Sequence, residues 1–174
     1  MNAPRRVAAG PQSRVDVLLD RESFGMKRTV VAMSVLLLGA GAVLADQKLA
    51  VKQDNLMRAQ AKSMYTVIGK MVKGDTPYNQ AAVDAAIADL EKSVPTIPKA
   101  FEVNPKEDVI DGHYGASPKI WQNKADFDSK VPVVEKAIAD VKGKIKDLDS
   151  LKLAFKSMTD ACDGCHETYR VKLR

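Results

Sequence analysis

The stretch Leu151-Lys-Leu-Ala-Phe-Lys-Ser-Met-Thr-Asp-Ala-Cys-Asp-Gly-Cys-His-Glu-Thr-Tyr169 carries the clearest pattern in the 174-residue sequence. Its apolar residues and both cysteines of the chain recur at steps of four and three residues: Leu151, Phe155, Met158, Cys162, Cys165 and Tyr169. A step that averages about 3.5 residues draws one stripe along a helix and favours helices that pack at small crossing angles. The stretch therefore predicts one helix of a bundle, with the cysteines on its inner face.

Three further segments repeat this helical spacing. The first is predicted over about 47–72, where the stripe consists of Gln53, Met57, Gln60, Met64, Val67 and Met71, and where Gly74 is placed to end the helix. The second is predicted over 79–94, with Asn79 as its cap and with Val83, Ile87, Leu90 and Val94 facing inwards.

The third helix is predicted to begin at Ser117-Pro118 and to reach about Ile145, with Pro132 kinking or splitting it. The fourth, which contains the opening stretch, is predicted to begin at Asp149 and to run to about Lys172. Few segments alternate with a period of two, so no sheet is predicted. Short connections make neighbouring helices antiparallel, and the predicted fold is all-α: an antiparallel up-down-up-down four-helix bundle.

The N-terminal part of the sequence reads as a targeting segment. Residues 26–45 combine a basic start, an apolar run and small residues that end in Val43-Leu44-Ala45, which predicts a signal peptide cleaved after Ala45. The apolar run is short for a membrane span, so we expect no stable membrane anchor. Residues 1–25 are interpreted as a mis-called start or a disordered extension, and residues 46–174 as one domain.

The charge of the chain argues against nucleic acid as a partner. The formal net charge is +5 for the whole sequence, but residues 46–174 hold 21 Lys and Arg against 19 Asp and Glu, which leaves +2. The lysines are spread along the chain, and aromatic residues are not interleaved with them. This pattern lacks the basic patch that a nucleic-acid-binding surface needs.

The motif Cys162-Asp-Gly-Cys-His166 predicts a covalently attached haem. Two thiols three residues apart on a helix lie on one face and reach one edge of a porphyrin, and the histidine that follows can turn towards the iron. A thioredoxin-like redox pair would need a βαβ context, a disulfide within the motif would close a strained short loop, and zinc would want four ligands. The single motif predicts one haem c, held by Cys162 and Cys165.

This motif, placed near the C-terminus of a helical bundle and followed by Glu167-Thr-Tyr-Arg170, resembles the class II cytochromes c, the cytochrome c′ family and its low-spin relatives. The segments Gly69–Tyr78 and Ser117–Trp121 also resemble family patterns. The resemblance implies a four-helix bundle around one haem, with His166 as the iron ligand. Arg170 is expected near the imidazole or a haem propionate, or else as a solvated charge at the helix end.

The sixth iron position separates the members of this family. In an antiparallel bundle the end of the fourth helix lies level with the start of the first, so Met57 is at the height of His166, whereas Met64 lies about 10 Å further along the axis. The segment Asn55-Leu-Met-Arg58 also resembles cytochrome c-556, in which the methionine after leucine is the sixth ligand. Met57 is therefore the expected sixth ligand; the alternatives are a plain core packing stripe of methionines, and His113 as ligand.

The expected function is that of a periplasmic one-electron carrier with His/Met-ligated, low-spin iron, which meets redox partner proteins as a monomer or homodimer. The alternative is a five-coordinate, cytochrome c′-type protein that binds gases such as NO or CO, with an apolar pocket of Leu56, Ala61 and Met64 and no polar donor. A peroxidase would need a distal acid–base residue, which the first helix does not offer, so no enzymatic activity is expected.

Overall fold

The computed structural model describes residues 44–106 and 112–173. The extension predicted over 1–25 lies outside these residues, as does the signal peptide predicted over 26–45 except for its last two positions. From Ala45 onwards the chain forms one compact unit. Among the described residues, no helix is both long enough and apolar enough to cross a bilayer.

The first helical rod is continuous but not uniform. An α-helix over 44–61 (α1) leads into a π-helical segment, Lys62–Ile68, and then into a second α-helix, Gly69–Lys73 (α2). In the π segment the amide of Gly69 donates to the carbonyl of Met64, five residues earlier, instead of four. The helix predicted over 47–72 is confirmed, but its π segment was not predicted, because a π turn has no periodic signature of its own.

Two predicted helix boundaries in this half of the chain are confirmed. Gly74 ends α2 with a positive φ of 82°, a conformation that glycine adopts without steric cost. Asn79 caps the next helix, since its side chain accepts a hydrogen bond from the amide of Ala82. The elements that follow are α3 (Gln80–Ser93), a 3₁₀ turn (Val94–Thr96) and α4 (Ile97–Ala100).

The third helix differs from its prediction. A short helix, α5 (Lys119–Gln122), is separated from the long α6 (Lys124–Val141) by Asn123, whose backbone is not helical. Pro132 lies inside α6 and does not split it. Its ring is on the exposed side of the helix, where a bend away from the core is tolerated.

The fourth helix, α7 (Leu148–Tyr169), begins and ends earlier than predicted. Asp147, not Asp149, is its N-cap: Asp147 accepts from the Ser150 amide, and the Ser150 hydroxyl accepts from the Asp147 amide. At Arg170 the backbone turns extended, so the helix does not reach Lys172.

A two-stranded antiparallel sheet, which the sequence analysis did not predict, closes this end of the bundle. Strand β1 (Tyr114–Ala116) pairs with β2 (Arg170–Lys172), with Gly115 opposite Val171. Strands of three residues are too short to show an alternating pattern.

The predicted four-helix bundle is confirmed. The first rod packs against α3 and α7, and α6 packs against α3 and α7, so that each long helix has two neighbours. The stripe predicted for the second helix is buried throughout α3 and the 3₁₀ turn that follows it, and Leu151, Met158 and Tyr169 of α7 are each no more than 4% exposed. Helical stripes of this kind form the core because they remove contiguous apolar surface from water.

Candidate functional site

The residues of the CDGCH motif lie on the last turns of α7. Cys162 and Cys165 are partly buried, and both are free thiols. The two cysteines pack against the apolar core, as expected for positions three apart on one helix face. The structure therefore presents both sulfur atoms on the inner side of α7.

Burial sets the protonation of these groups. Desolvation, assisted by the negative charge of Asp163, raises the pKa of the Cys162 thiol to about 11, and desolvation also raises that of Cys165. Without a bound group, both thiols are therefore protonated at neutral pH. Desolvation, and then the positive charge of Arg170, lower the pKa of His166. The imidazole is therefore neutral near pH 7, which is the state that binds a metal.

A cavity of about 490 Å³ lies between α7 and the first rod. This volume is in the range of small-molecule and cofactor sites. The four residues that the sequence analysis selected all line it: Met57, Cys162, Cys165 and His166. Its remaining walls come from α3, the 3₁₀ turn, α4, α5, α6, β2 and the stretch that connects α4 to α5.

The packing of α7 against the first rod shows which level of that rod faces His166. A Cβ atom placed on Gly69 would lie 3.6 Å from the ring of Phe155, so these two residues are level. The helices are antiparallel, so a step of eleven residues towards the C-terminus of α7, from Phe155 to His166, corresponds to an equal step towards the N-terminus of the first rod. Eleven residues before Gly69 the rod reaches Arg58. The π segment holds more residues per turn than an α-helix, which moves the matching level further back along the rod, towards the turn that contains Met57.

The other methionines of the first rod differ from Met57 in their surroundings. Met71 is 4% exposed, lies away from the cavity and accepts a weak hydrogen bond from the amide of Asn79 at 3.3 Å. Met64 is buried in the core but also borders the cavity. Both have the core positions that the sequence analysis predicted for them.

The stretch between α4 and α5 forms a wall of the cavity, which the sequence analysis missed. Gln53 of α1 donates to the carbonyls of Ala100 and Val103, at 3.0 and 3.1 Å, and the Trp121 indole donates to that of Phe101 at 3.0 Å. These bonds satisfy carbonyls at the C-terminal end of α4 that have no partner within the helix. The sequence signal for this arrangement was Gln53, one of two glutamines in the mainly apolar stripe of the first helix.

Tyr169 and Asp126 form a second interaction that sequence reasoning did not find. The Tyr169 hydroxyl donates to the Asp126 carboxylate at 2.5 Å, and its ring packs edge-on against Phe127 at 5.2 Å. The hydrogen bond raises the pKa of Tyr169 to about 12 and lowers that of Asp126. Tyr169 borders the cavity, so this pair fixes α6 against the end of α7 beside the motif.

Basic side chains border the cavity. Arg58 pairs with Asp54, Lys130 lies 3.6 Å from Asp126, and the Arg170 guanidinium lies 4.7 Å from the centre of the Tyr114 ring. Arg170 is in β2, not on α7, but it remains close enough to influence His166. His113 also borders the cavity, from an exposed position next to β1.

The wall near Met57 corrects one expectation. Ala61 and Met64 border the cavity as predicted, whereas Leu56 packs against the core without lining the cavity. Gln60 also lines the cavity, so this wall is not purely apolar.

Comparison with known proteins identifies the class. Residues 49–170 match the family described as Cytochrome C', and the chain belongs to the cytochrome c′ family. Two free thiols, a neutral imidazole and a mainly apolar cavity fit the haem c that this family implies. The chain carries covalently bound haem c, and its two cysteines are consistent with one such group.

Among individual proteins, the chain is 64% identical over 149 residues to cytochrome c-555 of Bradyrhizobium diazoefficiens, a match that covers 86% of this chain and 100% of that protein. It is 42% identical to cytochrome c-556 of Rhodopseudomonas palustris, over 84% of this chain and 99% of the relative. It is 27% identical to cytochrome c′ of the same organism, over 83% and 97%. These relatives place the chain in the cytochrome c-555/c-556 and c′ group of haem proteins.

Solved structures show the same fold. The structure of oxidized cytochrome c556 from R. palustris superposes with a TM-score of 0.62 at 39% identity, over 74% of this chain and 99% of that one. Cytochrome c′ from R. palustris superposes with a TM-score of 0.63 at 27% identity, over 72% and 98%.

Proposed function

We propose that this protein is a periplasmic one-electron carrier whose haem iron is bound by His166 and Met57. The observation that carries the proposal is that Met57 of α1 and His166 of α7 line one cavity together with the two cysteines. The contact between Gly69 and Phe155 supports a similar level for Met57 and His166 on the two antiparallel helices. The identity of 64% to a cytochrome c-555 and of 42% to a cytochrome c-556 supports it.

The chain's residues have distinct roles in this proposal. The sulfur atoms of Cys162 and Cys165 would hold the cofactor covalently, and the neutral imidazole of His166 and the thioether of Met57 would bind the iron. When bound, haem supplies reversible one-electron chemistry, with a reduction potential that a methionine ligand raises. Both ligands are on helices packed into the core, so little rearrangement is expected when the iron changes its charge.

The surroundings of the site fit an electron carrier. Buried apolar side chains exclude water from the cavity interior, while basic groups border it: Arg58, Lys106, Lys130 and Arg170. These cations fit the negative charge of haem propionates. We expect redox partner proteins to meet the protein here in brief encounters, with the protein as a monomer or homodimer, and we expect no enzymatic activity.

Electron paramagnetic resonance of the purified ferric protein tests the ligand assignment. Met57→Leu and Met64→Leu each remove one sulfur and nearly conserve volume, which makes them a matched pair. We expect a low-spin wild type, a high-spin Met57→Leu variant and a low-spin Met64→Leu variant. A low-spin signal that persists in Met57→Leu would mean another sixth ligand, with His113 the first to replace. A high-spin wild type would contradict the assignment of Met57 as the sixth iron ligand.

The second candidate function is gas binding by five-coordinate iron. The relationship to cytochrome c′ of R. palustris favours it, as does the fold shared with a cytochrome c′ from Alcaligenes xylosoxidans that was solved as a nitric oxide complex of a mutant, with a TM-score of 0.57 at 26% identity. A high-spin wild type would make this function the leading one.

The periplasmic location is proposed from the signal-peptide pattern of residues 26–45. N-terminal sequencing of the haem-loaded protein after expression of the full chain tests it. A mature protein that begins at Asp46 is expected, and retention of residues 26–45 would contradict the proposal.

A further inference from the structure

Tyr65 lies at the boundary between the cavity and the solvent. It belongs to the π segment of the first rod, lines the cavity and is 44% exposed. Its ring packs edge-on against Phe155 of α7, with the two ring centres 6.1 Å apart. Tyr65 therefore connects the cavity to the surface through an uncharged aromatic ring.

Tyr65 is on the side of the cavity that carries the attachment motif. Phe155 precedes Cys162 by seven residues, which is about two turns along the same face of α7. Desolvation, and then the negative charges that Cys162 and Asp163 can carry, raise the pKa of Tyr65, which agrees with a short distance between Tyr65 and the motif. A thioether bond keeps one edge of the haem at the sulfur of Cys162, so this edge lies on the Tyr65 side of the cavity.

Tyr114 is the other exposed tyrosine among the described residues that line the cavity. It lies in β1 and is 50% exposed, but the Arg170 guanidinium lies 4.7 Å from the centre of its ring. Its strand pairs with the residues that follow the motif, whereas Tyr65 packs against the helix that carries the motif. Of the two tyrosines, Tyr65 therefore offers the less charged contact and is closer to the attached edge of the haem.

The surface around Tyr65 is small and carries charges of both signs. Ala61, one turn earlier on the first rod, is also exposed and lines the cavity. Lys62 and Asp163, which flank Tyr65 on the first rod and on α7, have opposite charges. An uncharged centre with a mixed polar rim fits a protein partner that presents a small apolar patch, and small contact areas are usual for weak redox encounters.

We propose that electrons enter and leave the protein across the surface at Tyr65, where a redox partner places a small apolar patch next to its own redox centre. The inference rests on the proposed electron transfer, but it does not require Met57 to be the iron ligand. Electron transfer slows steeply as the distance between two redox centres grows, so partners react fastest at an exposed point close to the haem edge. In each encounter one electron passes between the protein and its partner, and no bond forms or breaks.

Charge substitutions locate the point of transfer. The haem-loaded ferrous protein is oxidised in a stopped-flow instrument by anionic hexacyanoferrate and, separately, by a cationic tris(phenanthroline)cobalt complex. A positive charge near the point of transfer speeds the anionic oxidant and slows the cationic one, and a negative charge does the reverse. At low ionic strength we expect Tyr65→Lys and Tyr65→Glu to change each rate by about 3-fold or more, in opposite directions.

Two other positions serve as controls. Tyr114→Lys and Tyr114→Glu should change the rates less than the substitutions of Tyr65. Leu153→Lys and Leu153→Glu, at a position that is 74% exposed and outside the cavity, should change them little. A change in reduction potential would move the rates with both oxidants in the same direction, so opposite effects on the two oxidants report the added charge.

Nuclear magnetic resonance gives a readout that involves no electron transfer. In the diamagnetic ferrous protein, with carbon monoxide added if the iron is high-spin, the ring current of the haem shifts protons that lie close to it. The ring protons of Tyr65, assigned by their loss in Tyr65→Lys, should be shifted from their ordinary positions. Those of Tyr78, which does not line the cavity, should not be shifted.

The outcomes separate this inference from the proposed function. Larger effects at Tyr114 than at Tyr65, equal effects at Tyr65 and Leu153, or no effect at any position would overturn the inference, as would unshifted ring protons of Tyr65. Electron paramagnetic resonance of the wild type decides the iron ligands independently. If the wild type is high-spin, the proposed ligand fails, while the comparison of Tyr65 with Tyr114 still decides where electrons pass.

Discussion

Replacement of Gln53 by leucine tests how the cavity wall is held. Gln53 is 2% exposed, and its amide binds two carbonyls that lie 47 and 50 residues away in sequence. Each neutral hydrogen bond contributes about 1 kcal/mol net. Leucine conserves the approximate size and adds apolar burial, which offsets part of the loss. We therefore expect Gln53→Leu to lower the free energy of unfolding by about 1–2 kcal/mol.

Urea denaturation of the haem-loaded protein, followed by circular dichroism, measures this loss. With a slope of about 2 kcal/mol per molar urea, the midpoint should fall by about 0.5–1 M at an unchanged slope. Gln122→Leu, at an exposed position of α5, is the control and should change the free energy by no more than about 0.5 kcal/mol.

Hydrogen exchange locates the effect. Amides of α4 and of residues 101–103 should exchange faster in Gln53→Leu, whereas those in the middle of α7 should change only in line with global stability. The reasoning would be refuted if Gln53→Leu were as stable as Gln122→Leu, or if faster exchange were spread evenly over the chain. Either result would mean that the two hydrogen bonds do not hold the wall.

Three further predictions concern stability. The hydrogen bond to Tyr169 lowers the pKa of Asp126, so the contribution of Asp126 to stability is present above its unfolded pKa of about 3.9 and is lost as the pH falls through the lower folded pKa. The same bond raises the pKa of Tyr169 to about 12, so the contribution of Tyr169 to stability is present below its unfolded pKa of about 10 and is lost between pH 10 and 12. The stability difference between wild type and Tyr169→Phe, read from urea midpoints, should therefore be constant from about pH 5 to 9 and shrink at both ends; a difference independent of pH would contradict the assignment. Leu151→Ala, at a fully buried position, should cost about 2–5 kcal/mol, while Leu153→Ala, 74% exposed, should cost little, and equal losses in urea denaturation would refute the placement of the α7 stripe. Asn79→Ala removes the cap of α3 and should cost about 1 kcal/mol in thermal denaturation, whereas Asn79→Asp should retain most of it.

The elements of the bundle could be predicted because their signals are local. The stripe around Leu151 and Met158, the cap at Asn79 and the stop at Gly74 depend only on which residue types occur at helical spacing, and the structure confirms all of them. The motif at Cys162 to His166 is equally local, because one turn of helix contains all of its groups.

The predictions that were wrong are those in which two similar residues could have set the same helix boundary. Asp147 and Asp149 are both good caps, and Ser150 favours the first because it completes a reciprocal pair of hydrogen bonds. The break falls at Asn123 instead of Pro132, because Pro132 lies on the exposed side of α6, where its missing N–H is tolerated. The ends of the connecting stretch and of α7 pair as strands only because the bundle brings them together.

The sequence by itself determined most of the helices and the attachment motif with His166, since each follows from the order of residue types within a few turns. The prediction of Met57 as a ligand required in addition the antiparallel arrangement of the bundle and the resemblance to cytochrome c-556. Only the tertiary structure decided what the two glutamines of α1 do. Gln53 meets carbonyls from a distant segment, while the Nε2 atom of Gln60 is buried without a partner in the described chain. The reason is physical: a hydrogen bond depends on which acceptor lies within about 3 Å, and for residues some fifty positions apart that distance is set by the packing of the whole bundle.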